Sequence, residues 1–558
     1  MMPDPESPPA FTTMRRLLVL LLLPLCVAGC PGGDDGDSPK KSPWLKPASV
    51  IGPSGGSANP DGGAPAALTI TGQVTFDRLP VTATGLGSTP TVEDAAGVLV
   101  EAVRHNDIHD VVASTSTDAA GNYTLNLNLS HDFFIRARAQ SGTGPDIDQV
   151  YHARTNPALV HAVTGPILQR AAGNQTANLH ASHALPDNRA GAFAILDTVQ
   201  RLRQSVTASF PSLGALDVFW CTGATAATGT DEVGPNGRPT IHLRGGTLAS
   251  PETTDHDEYD ETVIAHEWAS FVQLTQSRDN NFGGPHAGEE LLFTAAYSEG
   301  VVTAIGCGLL GTSLYRDTVG YPGGITSVQF EFDCESGLLF GQGDGYSNEF
   351  RVTRIVWDLL DGGAGWPADT DTDGAAVDAA DFFASFAALA TRVAPYEVAW
   401  LASLLQQLVD DTHLTVMQAD TLMQSQSANF PPAGAFDAFP ELLVIGVTDS
   451  GSLDAHSGVN PNPILGPQAN AVYRLELAAA QPVTFTLSNT TAGYAAANHR
   501  LDLSVVDLDR NFVASVTGNS ANKSTTVSLA AGTYIVRVQH LPASAASSQP
   551  SSFNLVAN

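Results

Sequence analysis

The sequence predicts a multidomain chain: a β-sandwich, then an α+β domain built mostly of helices, then a second, jelly-roll-like β-sandwich at the C-terminus. Three observations carry this expectation. Apolar and polar residues alternate in short runs from Leu68 to about Asp187 and again from about Pro463 to Asn558, the period of half-buried strands. Between them, from about Arg189 to Pro432, apolar residues recur at helical spacing. The length, 558 residues, accommodates about three or four domains.

Composition narrows the function. Lys and Arg number 26 against 57 Asp and Glu, a net charge of −31. Nucleic-acid and anionic-lipid partners need clustered cations, so this balance argues against both. Hydrophobic residues make up 43% and charged residues 15%, enough to bury real cores. Five Cys in the whole chain exclude a disulfide-dense scaffold and a Cys-rich zinc array.

The N-terminal stretch reads as an export address. Arg15 and Arg16 precede an apolar run, Leu17 to Ala28, of about 12 residues, short of the roughly 20 that span a bilayer. Its end, Val27-Ala28-Gly29-Cys30, resembles the bacterial lipobox. The resemblance implies a signal peptide over 1–29, with Met14 a fitting true start, lipid on Cys30, and a flexible Gly/Pro/Ser/Asp-rich tether over 30–67. The expected location is outside the cytoplasm, anchored to a bacterial membrane (periplasmic or cell surface) through lipid on Cys30 only.

In the first folded segment, 68–187, strands are expected at Leu68–Asp77, Gly97–Arg104, Asn122–Ser130 and Phe133–Gln140. Asp118 to Asn122 reads as a hairpin turn in which Gly121 takes positive φ. This order resembles the carboxypeptidase regulatory-like domain, a small β-sandwich that implies a spacer or binding role. After a linker expected over 436–462, the strands of 463–558 resemble the bacterial pre-peptidase C-terminal domain, a sandwich often appended to secreted peptidases.

The middle segment, 188–435, carries the chemistry. Helices are expected at Phe193–Thr207, Tyr259–Gln276, Glu290–Leu310, Asn348–Asp361 and Ala379–Val393, with a short strand at Thr240–Arg244. On the second helix lies His266-Glu267-Trp268-Ala269-Ser270. In H-E-x-x-H, two His one turn apart bind zinc from one helix face and the Glu takes a proton from the bound water. A bare His-Glu pair is commonplace. The wider run is not: Asp257-EYDETVIAHEWASFVQ, then Ser277-RDNNFGGPHAGEE, then Phe293-TAAYSEG, then Tyr346-SNEFRVTRIVWDLLDG.

This run resembles the gluzincin-like metallopeptidase domain of secreted or lipid-anchored bacterial proteins. The resemblance implies peptide-bond hydrolysis on a peptide or protein substrate, with zinc held by His266 and Glu299, Glu267 as general base and Tyr346 as a donor to the developing oxyanion. The departure falls at Ser270, where the family has its second zinc His, and a neutral hydroxyl is a weak zinc ligand. His286 could swing in as a substitute ligand, but it matches a His that the family carries besides its zinc ligands, which points to hydrogen bonding or substrate contact; His256 lies ten residues before His266, on the approach to the helix, and cannot take the missing face. Two readings remain open here, a zinc peptidase and a catalytically inactive pseudo-peptidase acting as a surface binding or adhesion protein. A third reading treats the central domain as scaffold alone.

Two further features stand apart. Asp369, Asp371 and Asp373 with Gly374 match the first half of an EF-hand loop, with Asp378 and Asp381 nearby but Ala380 at the closing position, so calcium and a solvated Asp turn both fit. Of Cys221, Cys307 and Cys334, the favoured disulfide is Cys307–Cys334, with pairs through Cys221 left open.

Overall fold

The computed structural model describes residues 66–142, 147–153, 159–246, 254–282, 291–322, 324, 326–336, 345–369, 375–392, 398–426, 440–453, 470–495, 499–541 and 550–558. The expected signal peptide, Cys30 and most of the tether lie outside these, as do His286, Asp371 and Asp373.

Alternation builds the first sandwich. In the strand Asn122–Leu129 every second residue is buried, placing Tyr123, Leu125, Leu127 and Leu129 inside. It pairs antiparallel along the long strand Ala66–Arg78, from Ala66 opposite Leu129 to Gln73 opposite Asn122. The turn before it is the expected one: Gly121 has φ 70°, and the Asp118 carboxylate accepts from the Ala120 and Asn122 amides at 2.9 and 2.8 Å. A Cβ on Gly121 would lie 2.4 Å from the Val74 carbonyl oxygen.

The second sheet does not stop at the expected domain boundary. It runs through Val98–Arg104 and Phe133–Ser141 to Gln149–His152, then Asp217–Trp220, Thr240–His242 and Gly229–Asp231. Asp217–Trp220 pairs parallel with both of its neighbours. Its four residues are all buried, the mark of a strand covered on both faces, which shows no alternation in sequence.

The helices follow, the first two of them packed on this sheet. We label them α1 (Arg189–Val206), α2 (Glu261–Gln276), α3 (Phe293–Leu310), α4 (Glu349–Leu360), α5 (Ala379–Ala388), α6 (Leu401–Asp410) and α7 (Val416–Ser425). α3 is buried on nearly every side, so its sequence is apolar almost all round, whereas α2 leaves His266, Ser270 and its last turn partly exposed. α3 is also long and apolar enough to cross a membrane, but it forms part of the protein core. Two glycines let the helices touch. A Cβ on Gly306 of α3 would meet the Ala265 carbonyl carbon at 2.9 Å, and one on Gly300 would meet the Glu349 carbonyl oxygen at 2.8 Å.

The C-terminal sandwich packs a five-stranded sheet (order Glu441–Leu442, Asn470–Leu477, Gly532–His540, Leu501–Asp507, Phe512–Val516) on a four-stranded one (Thr448–Leu453, Ser551–Ala557, Gln481–Asn489, Asn522–Leu529). Two of these strands fall inside the expected 436–462 linker, which is corrected accordingly: Thr448–Leu453 is exposed at alternate positions and gains its place from pairing with Ser551–Ala557. The strand Gly532–His540 faces two ways. Val536 and Val538 fill the sandwich's own core. Ile535 joins the core of the central domain, with Val472, Val506 and Leu508 packed beside it.

Candidate functional site

A cleft of about 620 Å³ opens over α2 and α3. His266, Glu267 and Ser270 of α2 and Ser298, Glu299 and Thr303 of α3 line it. The opposite wall is a hairpin, Leu314–Val319 with Ser327–Asp333, which contributes Tyr315, Asp317, Phe330 and Phe332. Glu349 and Phe350 come from the start of α4.

His266 and Glu299 meet as the sequence implies. Nε2 of His266 lies 3.3 Å from Oε2 of Glu299. On the other side of the ring, Nδ1 is 2.8 Å from the Thr303 hydroxyl, which itself donates to the Glu299 carbonyl oxygen at 2.9 Å. With that proton committed, the hydroxyl accepts from Nδ1–H and Nε2 faces the carboxylate. Such a pair holds as imidazolium with carboxylate or around a shared cation. A tetrahedral zinc with bonds of about 2.0–2.1 Å sets its nitrogen and oxygen donors about 3.3–3.4 Å apart, so these two atoms fit half of a zinc shell. Asn281 steadies the carboxylate, its Nδ2 donating to Oε1 at 2.7 Å.

The other half is not formed by the described residues. The Ser270 hydroxyl donates back to the His266 carbonyl oxygen at 3.1 Å, a common local bond for a helical Ser. Among the described residues, no third His, Cys, Asp or Glu donor joins His266 and Glu299 within 4.8 Å. A catalytic zinc takes three protein ligands. Among the described residues the donor set therefore falls one short, and no reaction step is derived through a metal. Glu267 is buried and held, its Oε2 accepting from Thr230 at 2.6 Å.

Tyr346, expected at the cleft, is replaced there by Tyr315. The Tyr346 ring packs edge-on against Trp400 with centroids 5.9 Å apart, while Glu349 and Phe350, three and four residues further on, line the cleft. Burial, then the charges of Asp317 and Glu267, push the Tyr315 phenol well above its usual range, so it stays protonated as a donor. His256 is fully buried away from the cleft, with Nδ1 3.4 Å from Glu258.

Sequence reasoning missed an acidic corner of the same cleft. Oxygens of Asp255, Asp257 and Asp317 all lie within 4.8 Å of one another. The Arg244 guanidinium pairs with Asp255 at 2.5 Å, and the Arg244 amide donates to Asp257 at 2.7 Å. Burial pushes the Asp257 carboxyl well up and that of Asp317 to about 8, with the Asp255 charge adding to both. This oxygen-only set suits a shared proton or a hard cation. The tract Asp255-His256-Asp257 was readable as acidic, but nothing in the chain joins it to Asp317.

Of the expected calcium ligands, Asp371 and Asp373 lie outside the described residues. The Asp378 carboxylate accepts from the Ala364 amide at 2.8 Å. Cys307 and Cys334 are free thiols buried in one small cluster with Phe332, Phe350 and Trp357, and burial and contact with Cys307 push the Cys334 thiol well up. Cys221 is buried separately, beside the strand Asp217–Trp220.

The fold and cleft define a multidomain, β-rich protein with a mixed helical part. No family model and no curated protein matches the chain. Among solved structures, the pre-peptidase C-terminal domain of a Bacillus anthracis collagenase is similar to part of it, at 15% identity and a TM-score of 0.16, covering 20% of this chain and 90% of that one. PliG, a periplasmic inhibitor of g-type lysozyme from Aeromonas hydrophila, gives 14% identity and 0.13, covering 20% and 85%. The CBM35 of Abf62 from Cellvibrio japonicus gives 14% and 0.13, covering 19% and 93%.

Proposed function

We propose that this is an exported, lipid-anchored pseudo-peptidase whose cleft binds a peptide segment without cleaving it. The observation that carries this reading is the Ser270 hydroxyl turned back onto His266, at the position one helical turn on from His266 where the H-E-x-x-H pattern has an imidazole. The cleft itself persists, and its lining sets the ligand class. Asp255, Asp257, Glu267, Asp279, Glu299, Asp317 and Glu349 face it, against Arg244 and Arg510. Even with Asp257 and Asp317 holding protons, as burial dictates, acidic side chains outnumber the two arginines on this lining, which favours a cationic segment bearing Lys or Arg, beside an aromatic wall of Tyr315, Phe330 and Phe350. Binding of oligo-lysine and oligo-glutamate peptides at two salt concentrations tests this. Selective, salt-weakened binding of oligo-lysine is expected; equal affinity for both peptides contradicts it.

A second reading, a zinc peptidase, is favoured by the 3.3 Å spacing of His266 and Glu299 and by Glu267 held beside them. Proteolysis by purified protein that is abolished in Glu267→Gln would establish it.

A further inference from the structure

We propose that Arg510, carried on the C-terminal sandwich, is a positioning residue for Glu299. It sits at the tip of a rigid turn between the strands Leu501–Asp507 and Phe512–Val516. The Asp507 carboxylate ties that turn by accepting from the amides of Asp509 and Asn511 at 3.0 and 2.8 Å. Arg510 takes φ 63° there, left-handed backbone that a non-glycine residue adopts at a cost. From the turn its Nη1 reaches Asp279 in the loop after α2, at 2.8 Å, and Nη2 comes within 3.8 Å of Glu232.

Asp279 is buried, which pushes its carboxyl up, while Arg510 pulls it back. The same carboxylate accepts from the Asn281 amide at 2.8 Å. Asn281 in turn donates its side-chain amide to Glu299. One continuous path therefore runs from the sandwich guanidinium through Asp279 and Asn281 to the carboxylate facing His266. Two neighbouring contacts pin the loop to the sandwich. Asn280 Nδ2 donates to the Leu508 carbonyl oxygen at 2.9 Å, and the Arg537 guanidinium lies 4.3 Å from the centroid of the Phe282 ring. The C-terminal sandwich is thus a wall of the cleft. By linkage, whatever orders residues 279–281 from inside the cleft also strengthens docking of the sandwich.

The test uses the full chain with Arg510→Met and Arg510→Lys. Arg510→Met is expected to speed amide exchange across 279–282 by at least about 10-fold while leaving the strand Asn122–Leu129 unchanged, and Arg510→Lys to restore most of the protection. A second arm reads the site with Co²⁺ alone and rests on the proposed reading of the His266–Glu299 pair. In a Ser270→His background, adding Arg510→Met should weaken Co²⁺ binding by about 10–100-fold, the usual cost of losing a group that orients a ligand. Unchanged exchange at 279–282 overturns the proposal, as does Co²⁺ bound equally tightly with and without Arg510. Loosened exchange rescued by Lys, in a chain where Ser270→His binds no Co²⁺, supports Arg510 and overturns only the metal-site reading.

Discussion

Ser270→His is the substitution with the sharpest consequence. Ser270 is one turn beyond His266 on α2 and lines the same cleft; side chains at that spacing share a helix face with Cβ atoms about 5–6 Å apart. The new imidazole enters a space of about 620 Å³, so it is not forced into the core, and the hydroxyl lost was bonded only within its own helix. It completes the set begun by His266 and Glu299. Removing a group that merely orients a ligand costs about 10–100-fold in affinity, so adding a direct ligand should gain at least about 100-fold. With zinc at 100 times the new dissociation constant, the folded state gains about 2.7 kcal/mol. At about 2–4 °C per kcal/mol for a domain of this kind, Tm should rise by roughly 5–11 °C in zinc and not at all in chelator. Differential scanning of both proteins with zinc and with chelator measures this. A folded Ser270→His protein with the same Tm in both solutions would refute the claim that His266 and Glu299 form part of a zinc shell that an imidazole at 270 completes.

Other consequences follow from the same geometry. Gly306→Ala places a methyl 2.9 Å from the Ala265 backbone, so it should force α2 and α3 apart and cost about 1–3 kcal/mol, read as a lowered denaturation midpoint. The Asp317 carboxyl is raised to about 8 by burial and by Asp255. The folded state therefore keeps a proton that the unfolded chain has released, and stability present below about pH 4 is lost as pH rises towards 8. Urea midpoints at pH 5 and pH 8 should differ accordingly, and Asp317→Asn should flatten the difference. Cys307 and Cys334, buried together, should form a disulfide in an oxidising compartment; intact mass of non-reduced protein, lower by two hydrogens than the reduced form, checks it.

What could be read in the chain beforehand depended on whether an element's environment leaves a period. The strand Asn122–Leu129 buries one face, so its alternation appears directly in the sequence. α2 and α4 were expected within two residues of their observed starts because their apolar spacing and Asn or Asp beginnings are local signals. Asp217–Trp220 was not anticipated, because a strand buried on both faces reads as a short apolar run. The hairpin Leu314–Val319 with Ser327–Asp333 was missed as well: most of its residues are half-buried or exposed, yet it supplies Tyr315 and Asp317 to the cleft. His266, Glu267 and Glu299 were legible because a helical motif and its neighbouring helix encode them. Arg510 was not, because its partner Asp279 lies in another domain and only tertiary packing brings the two together.

The most direct test is to incubate the unmodified protein with a lysine-rich peptide and zinc, then weigh the peptide that co-purifies with it. Peptide retained at full length is the expected result. Shortened products that disappear in Glu267→Gln would contradict it and establish the zinc-peptidase reading instead.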